Sequence, residues 1–173
     1  MIEGKRILLR GWREADLPAL AQLRNDVALQ AQLLSRARGS DIEQVRRWAQ
    51  ERASSPHSLL FVVCERGSDD VLGYLQFTGL DDVDRRAELG ICLRPQSQGQ
   101  GLGREVLQEV QPYLRDVWAL RKLSLRVRRD NDRAIRCYER VGFERCGMLH
   151  EHVFIEGRFQ DVVLMELFLR ARS

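Results

Sequence analysis

The sequence predicts an α/β (α+β) domain of about seven strands and about four helices, and three observations carry that reading. A length of 173 residues with 44% hydrophobic content suits one globular core. Apolar residues switch repeatedly between period-two alternation and helical spacing. No Pro/Gly/Ser-rich linker, low-complexity tract or repeat interrupts the chain, so residues 1–173 read as a single domain.

The elements follow in order. Lys5 to Arg10 carries Ile7, Leu8 and Leu9 and reads as a strand. Asp16-Leu17-Pro18 is a cap with proline in the first helical turn, and Leu17, Leu20, Ala21 and Leu23 mark the helix behind it. Ser40-Asp41-Ile42-Glu43 has the S-x-x-E form of a capping box ahead of Ile42, Val45, Trp48 and Ala49, which recur at helical spacing. Leu59 to Cys64 and Val71 to Thr78 are β-branched and aromatic runs joined by the polar turn Arg66 to Asp70, a predicted hairpin. In Ala87 to Leu93, the apolar Leu89, Ile91 and Leu93 alternate with Glu88, Gly90 and Cys92. After Pro95 and a glycine-rich loop, Val106, Leu107, Val110 and Leu114 form a helical stripe that Pro112 is expected to kink or split. Leu123, Leu125 and Val127 alternate as a strand, and Asn131 opens a helix with Ala134, Ile135 and Tyr138 that Gly142 ends. Phe143 to Leu169 reads as two strands turning at Glu156-Gly157. The resulting order is β-α-α-β-β-β-α-β-α-β-β.

Composition excludes several classes. With 28 basic and 25 acidic residues the net charge is +3, too small to argue for a nucleic-acid partner. The basic residues crowd between Arg121 and Arg145, a field that suits either an anionic ligand or a solvated face. Met1 to Arg6 lacks the pattern of a signal peptide, and no apolar run approaches the ~20 residues that span a bilayer. A soluble, cytoplasmic protein with no membrane partner is expected. Cys64, Cys92, Cys137 and Cys146 form no C-x-x-C pair and fall in segments that read as buried, so reduced thiols are expected, with neither a disulfide framework nor zinc. His150 and His152 flank Glu151 on one face of a strand, but no third ligand accompanies them, so a structural or substrate-lining role is expected and no metal.

The strongest chemical signal is Gln98-Gly99-Gln100-Gly101-Leu102-Gly103, standing between a strand and a helix. Glycines there expose successive N–H groups at a helix N-terminus, a nest suited to a pyrophosphate. A Walker A loop would need Gly-Lys-Ser/Thr, whereas Gly103 precedes Arg104 and Glu105. A dinucleotide fingerprint starting at Gly99 needs glycine where Arg104 stands, and one starting at Gly101 runs into Glu105 and Val106. What remains is Q-x-x-G-x-G, Gln98 through Gly101 to Gly103. Further on, Asn131, Ala134, Tyr138, Gly142 and Phe143 form N-x-x-A-x-x-x-Y-x-x-x-G-F.

Together, the two blocks and the preceding Ala87-Glu88-Leu89-Gly90-Ile91 resemble the GNAT superfamily of N-acetyltransferases over nearly the whole chain. The resemblance implies a mixed, mostly antiparallel central sheet flanked by helices, and acetyl-CoA as cosubstrate with no metal. It places the pyrophosphate on Gln98, Gly99, Gln100, Gly101, Leu102, Gly103 and Arg104, and the thioester oxyanion on backbone N–H groups around Ile91, Cys92 and Leu93. Asn131 would touch the pantetheine arm or serve only as a helix cap. Acetyl transfer needs a neutral amine and a proton for the departing thiolate. Glu88 is the candidate base, with an exposed strand glutamate or salt-bridge partner as the alternative. Tyr138 is the candidate acid, protonated at neutral pH by an ordinary pKa of about 10, with plain core packing as the alternative. Asn25 and Asp26 lie where the superfamily builds its acceptor pocket, so they and Glu88 are the candidate substrate residues. Arg24-Asn25-Asp26 and Leu149 to Arg158 look like branches that acetylate nucleotide-linked amino sugars or the N-termini of ribosomal proteins. The expected acceptor is therefore an amino sugar or a protein N-terminal amine. A non-catalytic CoA-binding regulatory module is the alternative, an NAD-type enzyme ranks below both, and a homodimer is left open.

Overall fold

The computed structural model describes residues 1–169. Its strands are β1 (Ile2–Glu3), β2 (Ile7–Arg10), β3 (Ser58–Glu65), β4 (Val71–Asp81), β5 (Arg86–Leu93), β6 (Lys122–Arg128), β7 (Glu144–Ile155) and β8 (Arg158–Phe168). Its helices are α1 (Leu17–Asn25), α2 (Val27–Gln32), α3 (Ile42–Ser54), α4 (Leu102–Asp116) and α5 (Asp132–Arg140). The strands form one mixed sheet in the order β1-β2-β3-β4-β5-β6-β8-β7. Neighbours run antiparallel except β5 and β6, which are parallel. The predicted fold class is the observed one, with eight strands and five helices where about seven and about four were expected.

Period-two alternation sends the two faces of the strands from β2 to β5 to different cores. On one face Leu75 and Phe77 of β4, Leu89 of β5, Leu123 and Leu125 of β6 and Met165 of β8 pack with Val106, Val110 and Leu114 of α4 and Ile135 of α5. On the other, Leu60, Val62 and Cys64 of β3, Tyr74 and Cys92 meet Leu17, Leu20 and Leu23 of α1, Leu29 of α2 and Val45 and Ala49 of α3. Each fully buried apolar side chain of this size contributes roughly 1.5–3 kcal/mol.

Several local expectations change. β1 has two residues and α2 six, too few to show a period. The capping box sits one residue later than predicted: Asp41, not Ser40, caps α3, accepting from the Gln44 amide at 2.8 Å while Gln44 accepts from the Asp41 amide at 2.9 Å. Pro112 does not split α4, which runs unbroken from Leu102 to Asp116. The carbonyl that loses its donor belongs to exposed Gln108, within reach of solvent, while Val110 and Leu114 hold both sides of the proline in the core. Cys146 lies exposed on β7 rather than buried, and Cys137 is half-buried. Gly142 does end α5, at φ +104°, and Glu156-Gly157 makes the hairpin turn with φ +53° and +79°. Among the described residues no helix is long and apolar enough to cross a membrane.

Asp16 was read as the cap of α1 but makes no side-chain cap bond to that helix. Its carboxylate instead takes a two-pronged grip from Arg10, at 2.8 and 2.9 Å, with both residues 3% exposed. It also accepts from the Arg13 amide at 2.7 Å. Arg10 also donates to the half-exposed Asp69 at 2.7 Å, so losing the Asp16 charge removes the buried counter-ion of Arg10 and leaves only the outer one. Asp16→Asn is therefore expected to destabilise the protein by about 3 kcal/mol, read as a lowered midpoint in urea denaturation with an unchanged slope.

Candidate active site

The site begins where two parallel strands part. β5 and β6 pair only from Arg86↔Lys122 to Glu88↔Ser124, although β5 continues to Leu93 and stays in register with β4 from Glu88 to Leu93. The amide of Arg94 donates to Leu72 of β4 at 2.8 Å. Strand alternation therefore turns the amides of Cys92 and Gly90 toward β4, and those of Ile91 and Leu93 into the gap. Of the three residues predicted to meet an oxyanion, Ile91 and Leu93 present free donors and Cys92 contributes its amide to the sheet. The Cys92 side chain is buried in the second core, and burial pushes its thiol up to about 12. Gly73, missed in the sequence, holds β5 against β4: a Cβ there would stand 2.0 Å from the Cys92 carbonyl oxygen. A glycine inside an otherwise apolar strand is the signal for such an approach.

The gap opens into a cavity of about 780 Å³. Its floor is the glycine loop. Gly99 and Gly101 have φ +75° and +77°, and Gly101 is the left-handed N-cap of α4. The first bond into the helix runs from Glu105 to Gly101 at 3.1 Å, so the amides of Leu102, Gly103 and Arg104 lack intrahelical acceptors. A Cβ on Gly99 would meet nothing within 4 Å, so the loop faces open space. Gln98 fixes the entry: its amide nitrogen donates to the Leu93 carbonyl at 2.7 Å and its oxygen accepts from Arg133. Outside, Arg6 donates to the Gln100 carbonyl at 2.9 Å and grips Glu105 through Nε at 2.9 Å. That pairing neutralises a carboxylate in the first turn of α4, where it would repel a phosphate. Gln100 and Leu102 lie off the cavity wall, Leu102 in the core. Arg104, Arg133, Arg136 and Arg140 line the same end.

Tyr138 and Glu88 both line the cavity. Tyr138 packs edge-on against Phe143 with ring centroids 5.8 Å apart, and burial holds its phenol well above the usual tyrosine range. Glu88 pairs with Arg126 at 2.9 Å, both side chains being two-fifths or more exposed, so the alternative reading as a salt-bridge partner holds alongside any catalytic one. Asn131 caps α5, accepting from the Ala134 amide at 3.2 Å, and also lines the cavity.

The acceptor end differs from expectation. Asn25 clamps Ser40, donating to its carbonyl at 2.8 Å and accepting from its amide at 2.7 Å. Asp26 caps α2 through the Leu29 amide at 2.9 Å. Neither reaches the cavity, whose wall there is made by Arg24, Trp48, Arg52, Tyr74, Gln76 and Thr78. Trp48 and Tyr74 fall in runs that read as a helix stripe and a strand, and Arg24 enters the sequence reading only through the Arg24-Asn25-Asp26 resemblance, with Asn25 and Asp26 as the candidates. Leu33, Leu34, Ser35 and Val153 close the top, and Arg36 reaches the Phe154 carbonyl at 3.4 Å. His150 and His152 do not act as a face-sharing pair. The β7–β8 register shifts between Leu149 and Val153 with Glu151 at φ +46°, placing His150 beside Asp161 at 3.7 Å and His152 on the cavity wall.

Residues 6–144 match the model of the acetyltransferase (GNAT) domain. This chain belongs to the GNAT acetyltransferase family. The chain is 33% identical over 103 residues to a spermidine N(1)-acetyltransferase from Vibrio cholerae, 60% of each protein, so it spans about three-fifths of that relative. An L-methionine sulfoximine/L-methionine sulfone acetyltransferase from Pseudomonas aeruginosa is 25% identical over 158 residues, 90% of each. The crystal structure of the Vibrio cholerae spermidine N-acetyltransferase with CoA and spermine superposes with a TM-score of 0.88 at 25% identity, covering 95% of this chain and 96% of that one.

The Gly73 contact is testable. Gly73→Ala is expected to cost about 1–3 kcal/mol by forcing β5 away from β4, and to weaken acetyl-CoA binding in calorimetry. Gly11→Ala, where a Cβ meets nothing within 4 Å, stays within about 0.5 kcal/mol of the parent.

Proposed function

We propose that this protein transfers an acetyl group from acetyl-CoA to the amine of a small molecule. The observation that carries the reading is the convergence, in one cavity, of the gap-facing amides of Ile91 and Leu93 with the free amides at the start of α4. The second set suits the diphosphate of coenzyme A, and the first suits the oxygen of its thioester as negative charge develops there. The glycines fit the group: Gly99 and Gly101 adopt the left-handed conformation, and a Cβ on Gly99 would meet nothing within 4 Å, so the backbone there is open to a ligand.

The chemistry follows from the side chains between the two sets. The acceptor nitrogen attacks the carbonyl carbon, an N–C bond forms and the C–S bond breaks. The ammonium proton leaves to Glu88, directly or through water, and the thiolate takes a proton from Tyr138. Glu88 lies one pleat beyond Gly90, at the point where β5 and β6 begin to part. Tyr138 keeps its proton through neutral pH because the apolar wall opposes the phenolate.

Acceptors among relatives vary: one of those named above acts on spermidine and another on methionine sulfoximine. A small molecule is favoured here because loop residues 33–35 and β7 cover the acceptor end, with Arg36 bridging to Phe154. An amino sugar belongs to that class, whereas a protein N-terminus would have to enter with its chain attached.

Acetyl-CoA binding by calorimetry and CoA release with an acceptor panel test the reading. Binding without turnover of any amine favours a regulatory module, and no binding sinks the proposal. Tyr138→Phe is expected to lower kcat by about 10²–10⁴-fold with acetyl-CoA affinity unchanged. Since the folded phenol is raised, its acid form persists as pH climbs past 10, so the parent's kcat should show no alkaline decline below about pH 10. Unchanged turnover in Tyr138→Phe removes it as the acid.

A further inference from the structure

Two buried polar atoms at the acceptor end have no hydrogen-bond partner: Nε of Arg24 and Oε1 of Gln76. Buried polar groups are nearly always paired, so an orphan on a cavity wall marks a place for a ligand atom. The two are opposite in kind, one a cationic donor and the other a neutral acceptor.

Their surroundings fix both. Arg24, in the last turn of α1, lays its guanidinium over Trp48 with Cζ 4.1 Å from the ring centroid, and Trp48 in turn packs edge-on against Tyr74 at 5.2 Å. Burial opposes the Arg24 charge, the Tyr74 hydroxyl supports it through a hydrogen bond, and Arg52 repels it, with the net effect that its pKa falls below the usual arginine value. Gln76 crosses β5 at Gly90, its register partner, where a Cβ would lie 3.2 Å from Gln76 Nε2. The glycine gives the amide its room.

Charge points the same way. The cavity wall carries seven arginines and a single carboxylate, Glu88. Arg104, Arg133, Arg136 and Arg140 lie at the end proposed for the phosphates, and Glu88 is paired with Arg126. Arg24 and Arg52 are left over at the acceptor end, which is unfavourable to a polycation.

We infer that the acceptor carries an anionic group close to its reactive amine, that Arg24 binds the anion, and that Gln76 Oε1 receives an N–H of the amine. The inference rests on the transferase reading above. Tyr74 and Gln76 pair with Cys92 and Gly90 on either side of Ile91, so the anion sits within about 7 Å of the amine, two residues of strand rise. Carboxylates and phosphates share the chemistry a guanidinium recognises. An α-amino acid, a sugar-amine phosphate and a nucleoside-diphosphate amino sugar all satisfy it.

With acetyl-CoA saturating, CoA release is measured for a set of L-α-amino acids, glucosamine 6-phosphate, a nucleoside-diphosphate amino sugar, spermidine and kanamycin. Turnover of at least one anionic member, with spermidine and kanamycin at least tenfold poorer in kcat/KM, is expected, and the active arm says whether carboxylate or phosphate is the source. On that acceptor, Arg24→Met should lose about 10- to 100-fold in kcat/KM, mainly through KM, with Arg24→Lys recovering part of the loss. Gln76→Leu should raise KM while acetyl-CoA affinity stays unchanged in both variants. Preference for spermidine or kanamycin, no turnover of any anionic member, or an Arg24→Met variant matching the parent overturns the inference. Failure of the parent to bind acetyl-CoA overturns the transferase reading instead.

Discussion

The parting of β5 from β6 is the constraint on which the rest depends. A parallel pair that stayed joined to Leu93 would spend the amides of Ile91 and Leu93 on β6 and leave no cavity between the strands. The sheet avoids this by holding β5 to β4 from Glu88 to Leu93, through a contact so close at Gly73 that no side chain fits. Beyond Glu88, β6 keeps only β8 as a strand partner. Hydrogen bonding forgone by the sheet becomes donor capacity for a ligand. The loop after β5 then delivers a second row of donors at the start of α4, with Gln98 tying the two regions through the Leu93 carbonyl.

How much of this is legible in the sequence varies with the kind of signal. The core helices and strands were readable because Val106, Val110 and Leu114, or Leu123, Leu125 and Val127, repeat at the period of their element. The loop was readable because Gln98, Gly101 and Gly103 are chosen by backbone geometry, which one-dimensional spacing records. Tyr138 and Glu88 follow from their places in those same blocks. β1 and α2 were not readable, being shorter than any period. Pro112 does not split α4 because packing on either side outweighs one lost bond, whereas the rule for proline describes an isolated helix.

The acceptor end was the least legible part. Arg24, Trp48, Tyr74 and Gln76 come from α1, α3 and β4, and only folding brings them to one wall. Asn25 and Asp26 are sequence neighbours of Arg24, yet they turn to Ser40 and to the start of α2. A local pattern identified the right stretch of chain but not which of three adjacent side chains faces inward. That choice depends on helical phase at the end of α1, where one residue changes direction by about 100°.

Arg6 contributes from outside the cavity. Its amide donates to Glu105 at 2.6 Å, its Nε holds the same carboxylate and its Nη1 holds the Gln100 carbonyl. The bend that carries the free amides at the start of α4 is thus braced by the stretch of chain between the first two strands, on the solvent side. Fusion partners or trims close to the amino terminus act on that brace, so affinity tags placed there bear, from outside the cavity, on the loop proposed to hold the diphosphate.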